Sequence, residues 1–88
     1  MRIKKGFVLR EVAGSFMVIA TGEASREFNG MIRLNQTGCD IWKGISDGLS
    51  EKEIADKLAE TYDVTPEKAL EDTRKILAKM EEAGFLMP

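Results

Sequence analysis

Apolar residues change their spacing once along this chain, at Leu34-Asn35, inside the stretch Phe28–Trp42 (FNGMIRLNQTGCDIW). Upstream they come in short runs broken by glycine, and downstream they recur every three or four positions. The first pattern belongs to strands and the second to amphipathic helices. Such a chain predicts a small sheet followed by helices packed on one of its faces, an α+β domain. Within the junction, Asn29-Gly30 predicts a turn and Met31–Leu34 a short strand. Ile32 and Leu34 share one face of that strand, Met31 and Arg33 the other. Asn35 is placed to cap the first helix.

Before the junction, Phe7–Val12 and Ser15–Ala20 read as two strands joined at Ala13-Gly14, where glycine can take positive φ. With Met31–Leu34 they predict a three-stranded antiparallel meander, and Thr21–Glu27 is polar and reads as a loop. After it, helix one runs from the cap Asn35 to about Asp47, with Ile41, Trp42, Ile45 and Leu49 on one side. Gly38 in its first turn costs about 1 kcal/mol relative to Ala, so it predicts close backbone packing. Ser50-Glu51-Lys52-Glu53 is a capping box that opens helix two, with Ile54, Ala55, Leu58, Ala59 and Tyr62 inward. Thr65-Pro66 opens helix three, whose inward set is Ala69, Leu70, Thr73, Ile76, Leu77, Met80 and Ala83. Gly84 ends it, and Phe85-Leu86 folds back on the core. The predicted order is β-β-β-α-α-α in a single domain, residues 1–88.

Composition removes several function classes. The chain has no histidine and one cysteine among 88 residues, so the usual zinc and transition-metal ligand sets are missing. The Ser-His and Cys-His nucleophile pairs are missing too. A lone thiol cannot close an intramolecular disulfide, which fits a cytoplasmic home. No apolar run approaches the ~20 residues that span a bilayer. Thirteen basic residues stand against fifteen acidic, a net charge of −2, whereas binding a polyanion needs a surplus of Lys and Arg.

The remaining features divide between bland and functional readings. The acid pairs Glu51/Glu53, Glu71/Asp72 and Glu81/Glu82 lie on outward helix faces and read as solvated surface. Cys39 reads as a small apolar residue and Trp42 as a core anchor. Ile54–Leu86 has the layout of a helix-turn-helix with a winged-helix ending, so a winged-helix DNA-binding transcriptional regulator is the alternative function. Against it, the exposed charges of helix three nearly cancel, and the chain stops at Pro88 with no wing hairpin. Met31–Leu34 forms a sheet edge without proline. It is either a short solvated edge or a template on which a peptide adds as an extra strand.

In order along the chain, FVLREV, FNGMIRLNQTGCDIW, SEKEIADKLAETYDV and EDTRKILAKMEEAGFL resemble the PqqD family. These are the small proteins of pyrroloquinoline quinone biosynthesis and their relatives, also known as precursor-peptide (RiPP) recognition elements. The resemblance runs from about Phe7 to Leu86, and its most specific part is Leu34-Asn35-Gln36-Thr37-Gly38-Cys39-Asp40-Ile41-Trp42. It implies a winged-helix-like fold and a non-catalytic protein, with no cofactor and no metal. Such a protein binds the leader of a ribosomally made precursor peptide and presents its core to a modifying enzyme, often a radical S-adenosylmethionine (radical SAM) protein. The leader adds beside the third strand, in a groove walled by the third helix. Carried onto this chain, the edge is Met31, Ile32, Arg33 and Leu34, and the wall is Arg74, Leu77, Ala78 and Glu81. Arg33 and Arg74 suit the acidic residues common in leaders. Some standalone members are dimers, so a homodimer is open here, while neither nucleic acid nor membrane is an expected partner.

Overall fold

The computed structural model describes residues 1–27 and 31–87. The predicted Asn29-Gly30 turn and Phe28 lie outside the described residues. Ala13 and Gly14 both take positive φ, 52° and 80°, which matches the right-handed twist of a two-residue hairpin. They join β2 (Phe7–Val12) to β3 (Ser15–Ala20), and β4 (Met31–Leu34) pairs with β3 on the far side. The sheet is antiparallel in the order β2-β3-β4, the predicted meander.

Asn35 caps α2 (Gln36–Ser46), its Oδ1 accepting from the Gly38 amide at 2.8 Å. Ser50 and Glu53 form both halves of the capping box on α3 (Glu51–Tyr62). Thr65 caps α4 (Pro66–Ala83), and Gly84 closes it in the left-handed conformation at φ 94°. These starts and stops are local side-chain chemistry, so the helix bounds follow the sequence closely.

Three features depart from the sequence reading. Ala24–Glu27 forms one helical turn, α1, within the expected loop; buried Ala24 anchors it beside Gly6. Arg2–Ile3 (β1) pairs antiparallel with Leu86–Met87 (β5), tying the basic N-terminal lead across the chain's end. Strands of two residues carry no periodicity to read. Tyr62, expected inward, is 39 % exposed. Its hydroxyl instead donates to the Asp40 carboxylate and links the end of α3 to α2. That bond to Asp40 raises the tyrosine pKa above its usual value.

The core lies between the inner sheet face and the three long helices. Phe7 and Val18 meet Ile41, Trp42, Ile45, Ile54, Leu58, Leu77, Met80 and Phe85. Phe85 is fully buried and lies 5.7 Å from the ring of Phe7 and 5.6 Å from that of Trp42, centroid to centroid. Tilted rings at such separations attract beyond their area burial. The buried Thr73 hydroxyl donates to the Ala69 carbonyl at 2.7 Å, so it leaves no unpaired polar group in the core.

Where α2 crosses α3, Gly44 leaves room for Ile54. A Cβ at Gly44 would lie 2.8 Å from Ile54 Cγ1, inside contact distance. Gly44→Val is therefore expected to cost about 1–3 kcal/mol by overpacking, measured as a lowered urea midpoint.

Candidate functional site

β4 is an edge of the sheet, and the hairpin register determines what it presents. The two-residue turn makes Val12 and Ser15 a hydrogen-bonded pair. Pairing alternates along antiparallel strands, so Ser15, Met17 and Ile19 turn their backbone groups toward β2, while Phe16 and Val18 turn theirs toward β4. Phe16 pairs with Leu34 and Val18 with Ile32. Ile32 and Leu34 therefore spend their amides and carbonyls inside the sheet. Met31 and Arg33 point theirs outward, forming the open ladder.

Beside this edge lies a hollow of about 360 Å³. Ile32 and Leu34 line one side, Ile76, Lys79 and Met80 of α4 the other, with Phe85 also in the lining. Gly38 lines it too, and a Cβ there would press on Leu34 Cβ and on the Asn35 cap oxygen, each at 3.3 Å. This is the close packing its sequence position predicts. Arg33 and Lys79 are the charged residues of the lining among the described residues, and no carboxylate joins them. The Arg33 guanidinium donates to Ser15 Oγ at 3.2 Å on the outer face of the sheet.

The eight expected site residues do not share one hollow. Ile32, Arg33 and Leu34 of the expected edge line the hollow just described. Arg74, Leu77, Ala78 and Glu81 line a different one, of about 620 Å³, with Leu49, Glu51 and Leu86. The reason is helix rotation. Successive residues turn by about 100°, so 74, 78 and 81 flank one side of the buried stripe of α4, with Leu77 at the stripe's edge on that side. Residues 76 and 79 flank the other. The stripe itself is Ala69, Thr73, Leu77 and Met80. The wall facing β4 is therefore Ile76, Lys79 and Met80, which the sequence-based assignment missed. Ile76 offered a signal in the sequence: it is apolar and lies on the flank away from Arg74.

The other candidates take their bland readings. Cys39 is fully buried, and burial pushes its thiol pKa upward, opposite to what a nucleophile needs. It is expected to resist a thiol-specific maleimide in the folded protein and to react once urea unfolds it. Most cations of α4 are already engaged: Lys68 with Asp72 at 3.2 Å, Lys75 with Glu71 at 3.2 Å, and Arg74 with Glu51 at 3.3 Å. Such a helix face presents little net charge to nucleic-acid phosphates. No helix among the described residues is long and apolar enough to cross a membrane.

The PqqD family profile, described as Coenzyme PQQ synthesis protein D, matches residues 7–86. The chain belongs to the PqqD family. Among curated proteins, none matches it closely enough to be called a relative. Two solved structures share the fold of this PqqD-family chain. One is TbiB1 in complex with the TbiA(beta) leader peptide, with a TM-score of 0.80 at 20% identity, covering 98% of this chain and 94% of the other. The second is lasso peptide synthetase B1 complexed with the leader peptide, with a TM-score of 0.81 at 20% identity, covering 99% and 96%. The likeness extends over the full PqqD-type arrangement of meander and helices.

Proposed function

We propose that this PqqD-family protein binds the leader segment of a ribosomally made precursor peptide and presents it to a peptide-modifying enzyme, such as a radical SAM protein. It does no chemistry itself and works in the cytoplasm. The observation that carries this reading is the open ladder of Met31 and Arg33 next to an apolar hollow with a cationic rim. A leader laid antiparallel to β4 would bond to the outward groups of Arg33 and Met31. Alternate side chains of the leader would drop between Ile32, Leu34, Ile76 and Met80. Arg33 and Lys79 would receive acidic residues through charge-assisted bonds. The two leader-peptide complexes with the same fold support this reading by likeness.

The test is a titration with a leader peptide from the same gene neighbourhood, followed by backbone amide NMR. The expected result is shifts at Ile32–Leu34 and at Ile76–Met80. Shifts confined to α3 would remove the β4 site from consideration.

A further inference from the structure

Two hollows flank α4, and their charges are opposite in sign. The one beside β4 carries Arg33 and Lys79 and no carboxylate among the described residues. The other carries Glu51, Glu53 and Glu81 against two cations, Arg74 and the N-terminal ammonium of Met1, and so keeps an acidic balance. Arg74 is already paired, its Nε 3.3 Å from Glu51 Oε1. Glu53 accepts the Ser50 amide in the capping box, whereas Glu81 forms no ion pair among the described residues and stands exposed. The floor is apolar, built from Leu49, Leu77 and Leu86. At about 620 Å³ it is larger than the leader hollow.

We propose that this second hollow docks a basic, leucine-anchored segment of the enzyme that receives the peptide, a proposal that rests on the leader-binding reading above. Charge complementarity selects the occupant. An acidic leader is repelled by Glu81 and Glu53 and drawn to Lys79, while a lysine- or arginine-bearing segment meets the reverse. A second copy of this chain fits poorly, because an isologous contact would bring Glu81 against the same acidic rim of its partner. Placing the two occupants on opposite flanks of one helix lets both bind at once. The peptide is then held beside the enzyme without competing for its contact.

The test uses two short amphipathic probe peptides, one of leucine and lysine, the other of leucine and glutamate. In amide NMR titrations the lysine probe is expected to shift Leu49, Arg74, Ala78 and Glu81. The glutamate probe is expected to shift Ile32–Leu34 and Lys79, and the two sets of shifts should add when both probes are present. Glu81→Lys should weaken the lysine probe about fivefold to tenfold, as expected for reversing one partly exposed charge. Arg74→Gln frees Glu51 and should strengthen the same probe. Both side chains are exposed, so both variants fold. A lysine probe that leaves these amides unmoved, or that binds both variants as it binds the parent, overturns the proposal. If the lysine probe behaves as expected but the glutamate probe fails at β4, the docking face stands and the leader-binding reading falls.

Discussion

Replacing Phe85 by alanine is expected to cost about 3–5 kcal/mol, which would leave much of the protein unfolded. A folded chain of 88 residues has a total stability on the order of 5–10 kcal/mol, so one such cavity removes much of it. Phe85 is fully buried and packs tilted between Phe7 and Trp42. It is therefore the point where β2, α2 and the chain's end meet. Its backbone carbonyl also accepts the Lys4 amide at 2.8 Å, next to the β1–β5 pair. Phe85→Leu keeps most of the volume and should cost less than about 1.5 kcal/mol. Urea unfolding checks both: the alanine variant should lose most of its midpoint and the leucine variant little. An alanine variant unfolding at the parent midpoint would mean the core is not centred on this ring. Because Phe85 also lines the β4 hollow, the leucine variant should weaken peptide binding too.

Proline at two adjacent positions of β4 is expected to give opposite outcomes. Arg33→Pro removes an outward amide, and edge strands tolerate proline where the N–H faces away from the sheet. The variant should fold, and peptide affinity should fall about tenfold or more, since each lost bond is worth about 1 kcal/mol and the ring also crowds the edge. Ile32→Pro removes the amide that bonds to Val18, whose side chain is fully buried. That leaves a carbonyl unsatisfied inside the sheet at about 1–3 kcal/mol, so this variant loses stability first. Circular dichroism melting and calorimetric titration of each variant separate the two effects. Equal folding and equal binding in both would contradict the register derived from the Ala13-Gly14 turn.

Much of this fold was legible in the sequence because its punctuation is local. Asn35, Ser50 with Glu53, and Thr65 each bond amides within three residues, and Pro66 fixes φ at the first helical position, so spacing alone locates the helix starts. The meander followed from one hairpin turn and a change of period. What spacing could not fix was which flank of α4 faces which neighbour. Residues 74, 78 and 81 and residues 76 and 79 sit symmetrically about the same buried stripe. Only packing against β4 and the α2–α3 turn tells the flanks apart. The strand half of the site needed no such information, since Met31–Leu34 is an edge in any three-stranded meander that ends there. Tyr62 misled for a related reason: its helical phase points inward, but α3 ends at that residue and its hydroxyl reaches Asp40 instead. Gly44 reads as an ordinary helix-weakening residue until Ile54 is seen against it.

The central claim is that the outward backbone groups of β4 receive the leader. Amide hydrogen exchange with and without a leader peptide tests it most directly. In the free protein the Ile32 and Leu34 amides should already be protected by β3, and the Arg33 amide should exchange as an open edge. On binding, the Arg33 amide should become protected while Ile32 and Leu34 change little. Protection that appears around Glu81 and Leu49 instead, with Arg33 still exchanging freely, would contradict the claim.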